Sequence, residues 1–219
     1  MSTYRARILA ASLVLFASAA LAELRVVHDA ARSRIWTLES DGVYLQEGAF
    51  KKRFALPGWT YVKEAYACAP ALAIDARGAA IVSSNVIARL WRIDPVTSRV
   101  TIHDPSLDAD AGKDVGFTAL AFAPDQGVFY AVSSVQRSLW RIDPLLGRAQ
   151  KIPLSGALAG GCSLSLERTK VRRTVVLCAL GKAMAQAVYL APDQRSGYVH
   201  NQSCADPRVG LDIAFRKGE

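Results

Sequence analysis

Only four cysteines, two methionines and three histidines occur in the 219 residues. Four thiols cannot be the main stabiliser of a chain this long, which excludes a disulfide-dense miniprotein. They form no C-x-x-C pair and have no neighbouring histidine, so neither a zinc site nor a c-type haem attachment has a basis. A G-x-S-x-G nucleophile elbow is absent as well. Outside residues 1–22 no helix-length stretch carries a 3.6-residue apolar period. What is present is 51% hydrophobic and 21% charged residues, a composition that excludes a disordered polymer and suffices for a buried core in one domain.

The first 22 residues are of another kind. Arg5 and Arg7 precede an apolar run from Ile8 to Leu21, which closes on Ala20-Leu21-Ala22. A short positive region, an apolar stretch of this length and small residues before Glu23 are the pattern of a signal peptide, shorter than the ~20 apolar residues that span a bilayer. The expectation is a signal peptide over 1–22, a single domain over 23–219, a periplasmic or secreted location and no transmembrane anchor after cleavage. Cleavage lowers the formal charge from +8 to +6. The remaining basic clusters, Lys51-Lys52-Arg53, Lys170 with Arg172-Arg173, and Arg216-Lys217, are scattered and lack interleaved aromatics. That pattern gives no nucleic-acid module and leaves an anionic envelope surface as a possible partner.

The strongest signal in the mature chain is self-similarity. Leu90-Trp91-Arg92-Ile93-Asp94-Pro95 recurs as Leu139-Trp140-Arg141-Ile142-Asp143-Pro144, 49 residues on, and Ala71-Leu72-Ala73 recurs as Ala119-Leu120-Ala121. Inside these segments the hydrophobic period is two, with Trp and Ile on one side of a strand and Leu, Arg and Asp on the other. Each repeat parses into four short strands, in the first case 71–74, 79–84, 88–94 and 99–103. Asp-Pro opens the last turn, because Asp bonds the backbone ahead of it and Pro presets φ. Weaker copies flank the two clear ones over 24–56 and 161–203. Four antiparallel strands per repeat predict an all-β fold, a small β-propeller of four blades, with five blades or an open β-sandwich as alternatives. The strand 211–215, which resembles the opening strands of the repeats, is a candidate to complete the first blade.

In an oxidising compartment four cysteines favour disulfides. Cys162 falls just before the first strand of the fourth repeat and Cys178 in its second, positions that face each other across an antiparallel hairpin, so Cys162–Cys178 is the expected bridge, leaving Cys68–Cys204 to tie the carboxyl-terminal segment to the second blade. Asp108, Asp110 and Asp114 lie on one Gly-containing loop and are weak calcium candidates, since the Gly and Glu positions of an EF loop are not matched. Ser83-Ser84 and Ser133-Ser134 occupy equivalent repeat positions and read as strand-end hydroxyls bonding backbone. Residues that recur in each blade build the fold, whereas a ligand site uses positions at which blades differ. Those are the connections between blades, and they nominate Trp59, Tyr61, Lys63, Glu64, Tyr66, Asp114, Asp206 and Arg208 as contacts for a small-molecule ligand or protein partner.

The segments LWRIDPVTSRV and LWRIDPLLGRA, preceded by ALAIDARG and ALAFAPDQG, resemble blades of the SMP-30/gluconolactonase and NHL-like propellers, mainly over residues 70–153. The resemblance implies a propeller. It also brings the possibility of a metal-dependent lactonase or lyase, whose central cation is held by acidic and Asn side chains, with Asn85 at a comparable inner position. No acidic partner for Asn85 matches, and the mature chain does not accommodate six repeats of this length. The leading expectation is therefore an exported, non-catalytic binding or scaffolding module that uses its interblade-loop face, with the enzyme as the alternative.

Overall fold

The computed structural model describes residues 23–60, 68–159, 161–168, 173–178, 184–191, 193 and 195–203. Eighteen strands, β1 to β18, make up the described fold, and the sole helical element among these residues is the 3₁₀ turn Ala30–Arg32. The strands form four antiparallel sheets. The first is β1(Glu23–Asp29), β2(Arg34–Glu39), β3(Gly42–Glu47) and β4(Phe50–Phe54), and the second β5(Leu72–Ile74), β6(Ala80–Ser83), β7(Leu90–Ile93) and β8(Val100–His103). The third is built on β10(Ala119–Ala123), β11(Val128–Ser133), β12(Ser138–Ile142) and β13(Arg148–Ile152). The fourth is built on β15(Ser163–Arg168), β16(Arg173–Cys178), β17(Met184–Leu190) and β18(Gly197–Ser203). This is the propeller arrangement the repeat predicts, with strand bounds within a few residues of those read from sequence.

Period-two patterning explains how the sheets pack. Trp91 and Ile93 join Trp36, Leu38, Val43, Leu45 and Phe54 in an apolar layer between the first and second sheets. Leu90, on the opposite face of β7, joins Phe117, Phe129, Trp140 and Ile142 between the second and third. Leu139 turns the other way again and joins Leu164, Leu166, Val188 and Leu190 between the third and fourth. One strand thus serves two cores, as a sheet buried on both faces requires. Trp91 and Trp140 are at most 1% exposed, and each ring N–H is bonded: Trp91 Nε1 donates to Pro57 O at 2.9 Å, and Trp140 Nε1 to Ser138 Oγ at 2.8 Å.

The repeated Asp builds turns. Asp94 Oδ1 accepts the N–H of Val96 at 2.8 Å and of Thr97 at 3.2 Å, and Asp143 Oδ1 accepts that of Leu145 at 2.8 Å. In the second sheet's first turn, Gly78 has φ +81°, and a Cβ there would stand 2.9 Å from Asp29 Oδ2. Only glycine lets this turn close onto the Asp29–Arg32 pair of the first sheet.

Two strands escape sequence reading. β9(Ser106–Leu107) leaves the second sheet and pairs in parallel with β13 on the outer edge of the third, and β14(Leu154–Ser155) does the same to β18 of the fourth. Both follow a proline, Pro105 and Pro153, that ends the preceding outer strand. The added strand covers an edge that would otherwise expose unpaired backbone groups.

The disulfide pairing expected from sequence is corrected. Cys68 bonds Cys162, with Cα atoms 5.1 Å apart across 94 residues. The register of β15 and β16 sets Cys178 opposite Ser163 and not Cys162, so Cys162–Cys178 is not a cross-strand pair. With Cys68 committed to Cys162, Cys68–Cys204 is excluded too; Cys204 lies outside the described residues. Glu23–Asp29 is the inner strand of the first sheet, paired with β2, and the candidate closing strand 211–215 lies outside the described residues.

Candidate functional site

The four inner strands β1, β5, β10 and β15 surround a central axis. All four begin at one end, the interblade-loop end, where polar side chains gather although nearly all are buried. Ser83 Oγ accepts the N–H of Ala71 at 2.9 Å and donates to Phe117 O at 2.6 Å, joining the second sheet to the start of the third. Thr118 Oγ1 stands 2.6 Å from Ser134 Oγ and 2.9 Å from Gly161 O, and Ser134 Oγ accepts the N–H of Gly161 at 3.1 Å. These contacts join the third sheet to the start of the fourth. The repeated serines therefore act as clamps between successive sheets, in keeping with the backbone-bonding role read from sequence.

At the centre of this end lies Arg25 of β1. Its Nη2 donates to Cys162 O at 2.6 Å, with Ala69 O at 3.3 Å and Thr118 O at 3.4 Å. One guanidinium of the first sheet thus reaches carbonyls at the starts of the second, third and fourth. Beside it the Cys68–Cys162 bridge links the second sheet to the fourth. The protein's own groups occupy the loop end of the axis. Sequence reading missed Arg25, although a signal exists. Counted back from Asp29 and Asp75, Arg25 stands where the second sheet has Ala71, and a long cation in place of a small inner residue needs acceptors around it.

The sequence-nominated residues are distributed as follows. Asn85 is fully buried at the loop end, and its Nδ2 donates to Cys68 O at 3.0 Å, so its amide holds the chain beside the disulfide. Gly116 packs onto it so closely that a Cβ would stand 2.0 Å from the Asn85 carbonyl. Trp59 is half-buried against the core between the first and second sheets. Asp114 is exposed, and its carbonyl accepts from Gln136 Nε2 at 3.1 Å. Tyr61, Lys63, Glu64, Tyr66, Asp206 and Arg208 lie outside the described residues.

The calcium candidates do not converge. Asp108 Oδ1 accepts the backbone N–H of Lys151 at 2.8 Å, and Asp110 sits between Lys113 Nζ at 2.8 Å and Lys151 Nζ at 2.5 Å. Those lysines hold the Asp110 carboxyl below the usual carboxylate range. Among the described residues no group of three or more His, Cys, Asp or Glu is placed to hold a metal ion. His28 is exposed, while His103 is half-buried with Nε2 3.0 Å from Thr101 Oγ1. Burial, and then the charge of Arg92, lower the His103 pKa. The basic run on β4 is engaged within its own surroundings: Lys51 pairs with Glu39 at 3.4 Å, Arg53 with Asp41 at 2.9 Å, and Lys52 meets Ser98 Oγ.

The far end of the axis differs. There the inner strands finish and a cavity of about 500 Å³ opens, lined by residues of all four sheets.

No family model matches the chain, and no curated protein matches it. Solved structures do. Virginiamycin B lyase from Staphylococcus aureus superposes with a TM-score of 0.58 at 11% identity, covering 83% of this chain and 55% of that one. Hydrazine synthase of Kuenenia stuttgartiensis gives 0.55 at 10% identity over 83% and 49%. An auxiliary nutrient binding protein from Bacteroides thetaiotaomicron gives 0.54 at 8% identity over 84% and 43%. The chain spans about half the length of these structures, and at such identities the likeness is one of fold, that of an all-β propeller. No helix among the described residues is long and apolar enough to cross a membrane.

Proposed function

We propose that this chain is an exported, non-catalytic binding or scaffolding module, a single propeller over 23–219 that closes with four blades and docks a partner on its interblade-loop face. The observation that carries the reading is the occupied loop end. Arg25, the Cys68–Cys162 bridge and the Ser83, Thr118 and Ser134 hydroxyls fill the place where a catalytic propeller needs open coordination or acid–base groups. The result is a rigid platform, suited to a surface partner more than to a small substrate entering the axis. Export is supported by the disulfide.

The lactonase reading suggested by the SMP-30 resemblance needs acidic ligands beside Asn85, and among the described residues no group of three or more His, Cys, Asp or Glu is placed to hold a metal ion. Attachment to an anionic surface through Lys51 and Arg53 would compete with their acidic partners. The test is turnover of a panel of lactones by the purified exported protein with calcium, zinc, manganese or chelator. No metal-dependent hydrolysis is expected. Metal-dependent turnover that disappears in a folded Asn85→Ser variant would overturn the proposal.

A further inference from the structure

The cavity at the far end of the axis belongs to none of the features above. Its walls are mostly apolar, with Val27 from β1, Leu72 and Ala73 from β5, Leu120 and Phe122 from β10, and Leu166 from β15, while the exposed His28 joins Asp29, Arg32 and Asp75 as polar lining. Because the walls come from four different sheets, an occupant of this open cavity touches several elements at once and is not laid along one strand. The volume of about 500 Å³ falls in the range of small-molecule sites.

The charges at its mouth are already matched. Asp29, 3% exposed, pairs with Arg32 at 3.2 Å, and Arg32 Nη2 also donates to Ala76 O at 2.7 Å. Asp75 pairs with Arg92. A charged ligand entering here would lose water without gaining a free counter-charge, whereas an uncharged apolar one loses only unfavourable hydration.

We propose that this cavity is a binding site for a neutral, largely apolar small molecule of aromatic or alkyl character, separate from the loop-face platform. It lies at the opposite end of the axis, so failure of either proposal leaves the other standing.

The probe is N-phenyl-1-naphthylamine, an uncharged dye that brightens in apolar surroundings, titrated into the exported protein. Saturable binding of one dye per protein is expected. Ala121→Trp fills the cavity at some cost in melting temperature, because Ala121 also packs against the core between the third and fourth sheets, and Ala76→Trp narrows its exposed rim with unchanged circular dichroism and melting; each should weaken binding roughly tenfold or more. The Val96→Ser, Leu145→Ser double variant removes exposed apolar side chains on distant turns, 83% and 78% exposed, and should leave binding unchanged. An anionic relative, 8-anilinonaphthalene-1-sulfonate, should bind more weakly. Unchanged binding by both tryptophan variants, loss of binding in the turn variant, or tighter binding of the anion would each overturn the proposal.

Discussion

Arg25 is a side chain of the first sheet that reaches the other three. Its Nη2 serves carbonyls from three other sheets, so Arg25→Ala leaves partly buried acceptors without their donor and should cost about 2–4 kcal/mol in urea unfolding. Arg25→Lys should recover little, because its ammonium sits one atom short of the position of Nη2, from which all three bonds are made. Gly116→Ala is the sharpest steric test. A methyl 2.0 Å from the Asn85 carbonyl forces backbone to move, and a loss of about 3 kcal/mol or more is expected in the same measurement. Asp94 gives the pH dependence. The Thr97 and Val96 amides hold its carboxyl below the ordinary range, so its contribution is complete above the unfolded-state value of about 4 and is lost as pH falls through the lower folded value. The urea midpoint should therefore fall on acidification below about pH 4, and Asp94→Asn should flatten part of that fall. An identical slope in the variant would show that this turn is not responsible.

At the scale of elements, two kinds of information separate. Strand existence and facing were legible, because Leu90, Trp91 and Ile93 alternate and the hexapeptide recurs as Leu139 to Pro144; the three inter-sheet cores use these alternations directly. The short parallel strands β9 and β14 were not, since two residues carry no period and their partners lie about 40 residues away. The cysteine pairing was not legible for a related reason. Local spacing favours a hairpin bridge, while the observed bond depends on how sheets close around an axis. A bridge spanning 94 residues restricts the unfolded chain strongly, and Cys68→Ser with Cys162→Ser should lower stability by about 4–5 kcal/mol. A loss below ~1 kcal/mol would mean that Arg25 and the hydroxyl clamps hold the inner strands unaided.

For the whole molecule, the formal charge of +8 belongs to an all-β propeller in which Lys51 and Arg53 on β4 face acids nearby. The candidate site was legible only in outline. Sequence reading chose the interblade loops, with Trp59 among their contacts, because blades differ there, and gave Asn85 an inner position by resemblance, without revealing that both are engaged structurally. The apolar cavity was invisible, because each wall residue looks like an ordinary core position until four inner strands are brought around one axis. The central claim is that these strands are drawn together and sealed at the loop end. Mass mapping of peptides from the unreduced, exported protein tests it most directly. A linked pair containing Cys68 and Cys162 is expected; a Cys162–Cys178 link would leave the second and fourth sheets unjoined and contradict the sealed axis.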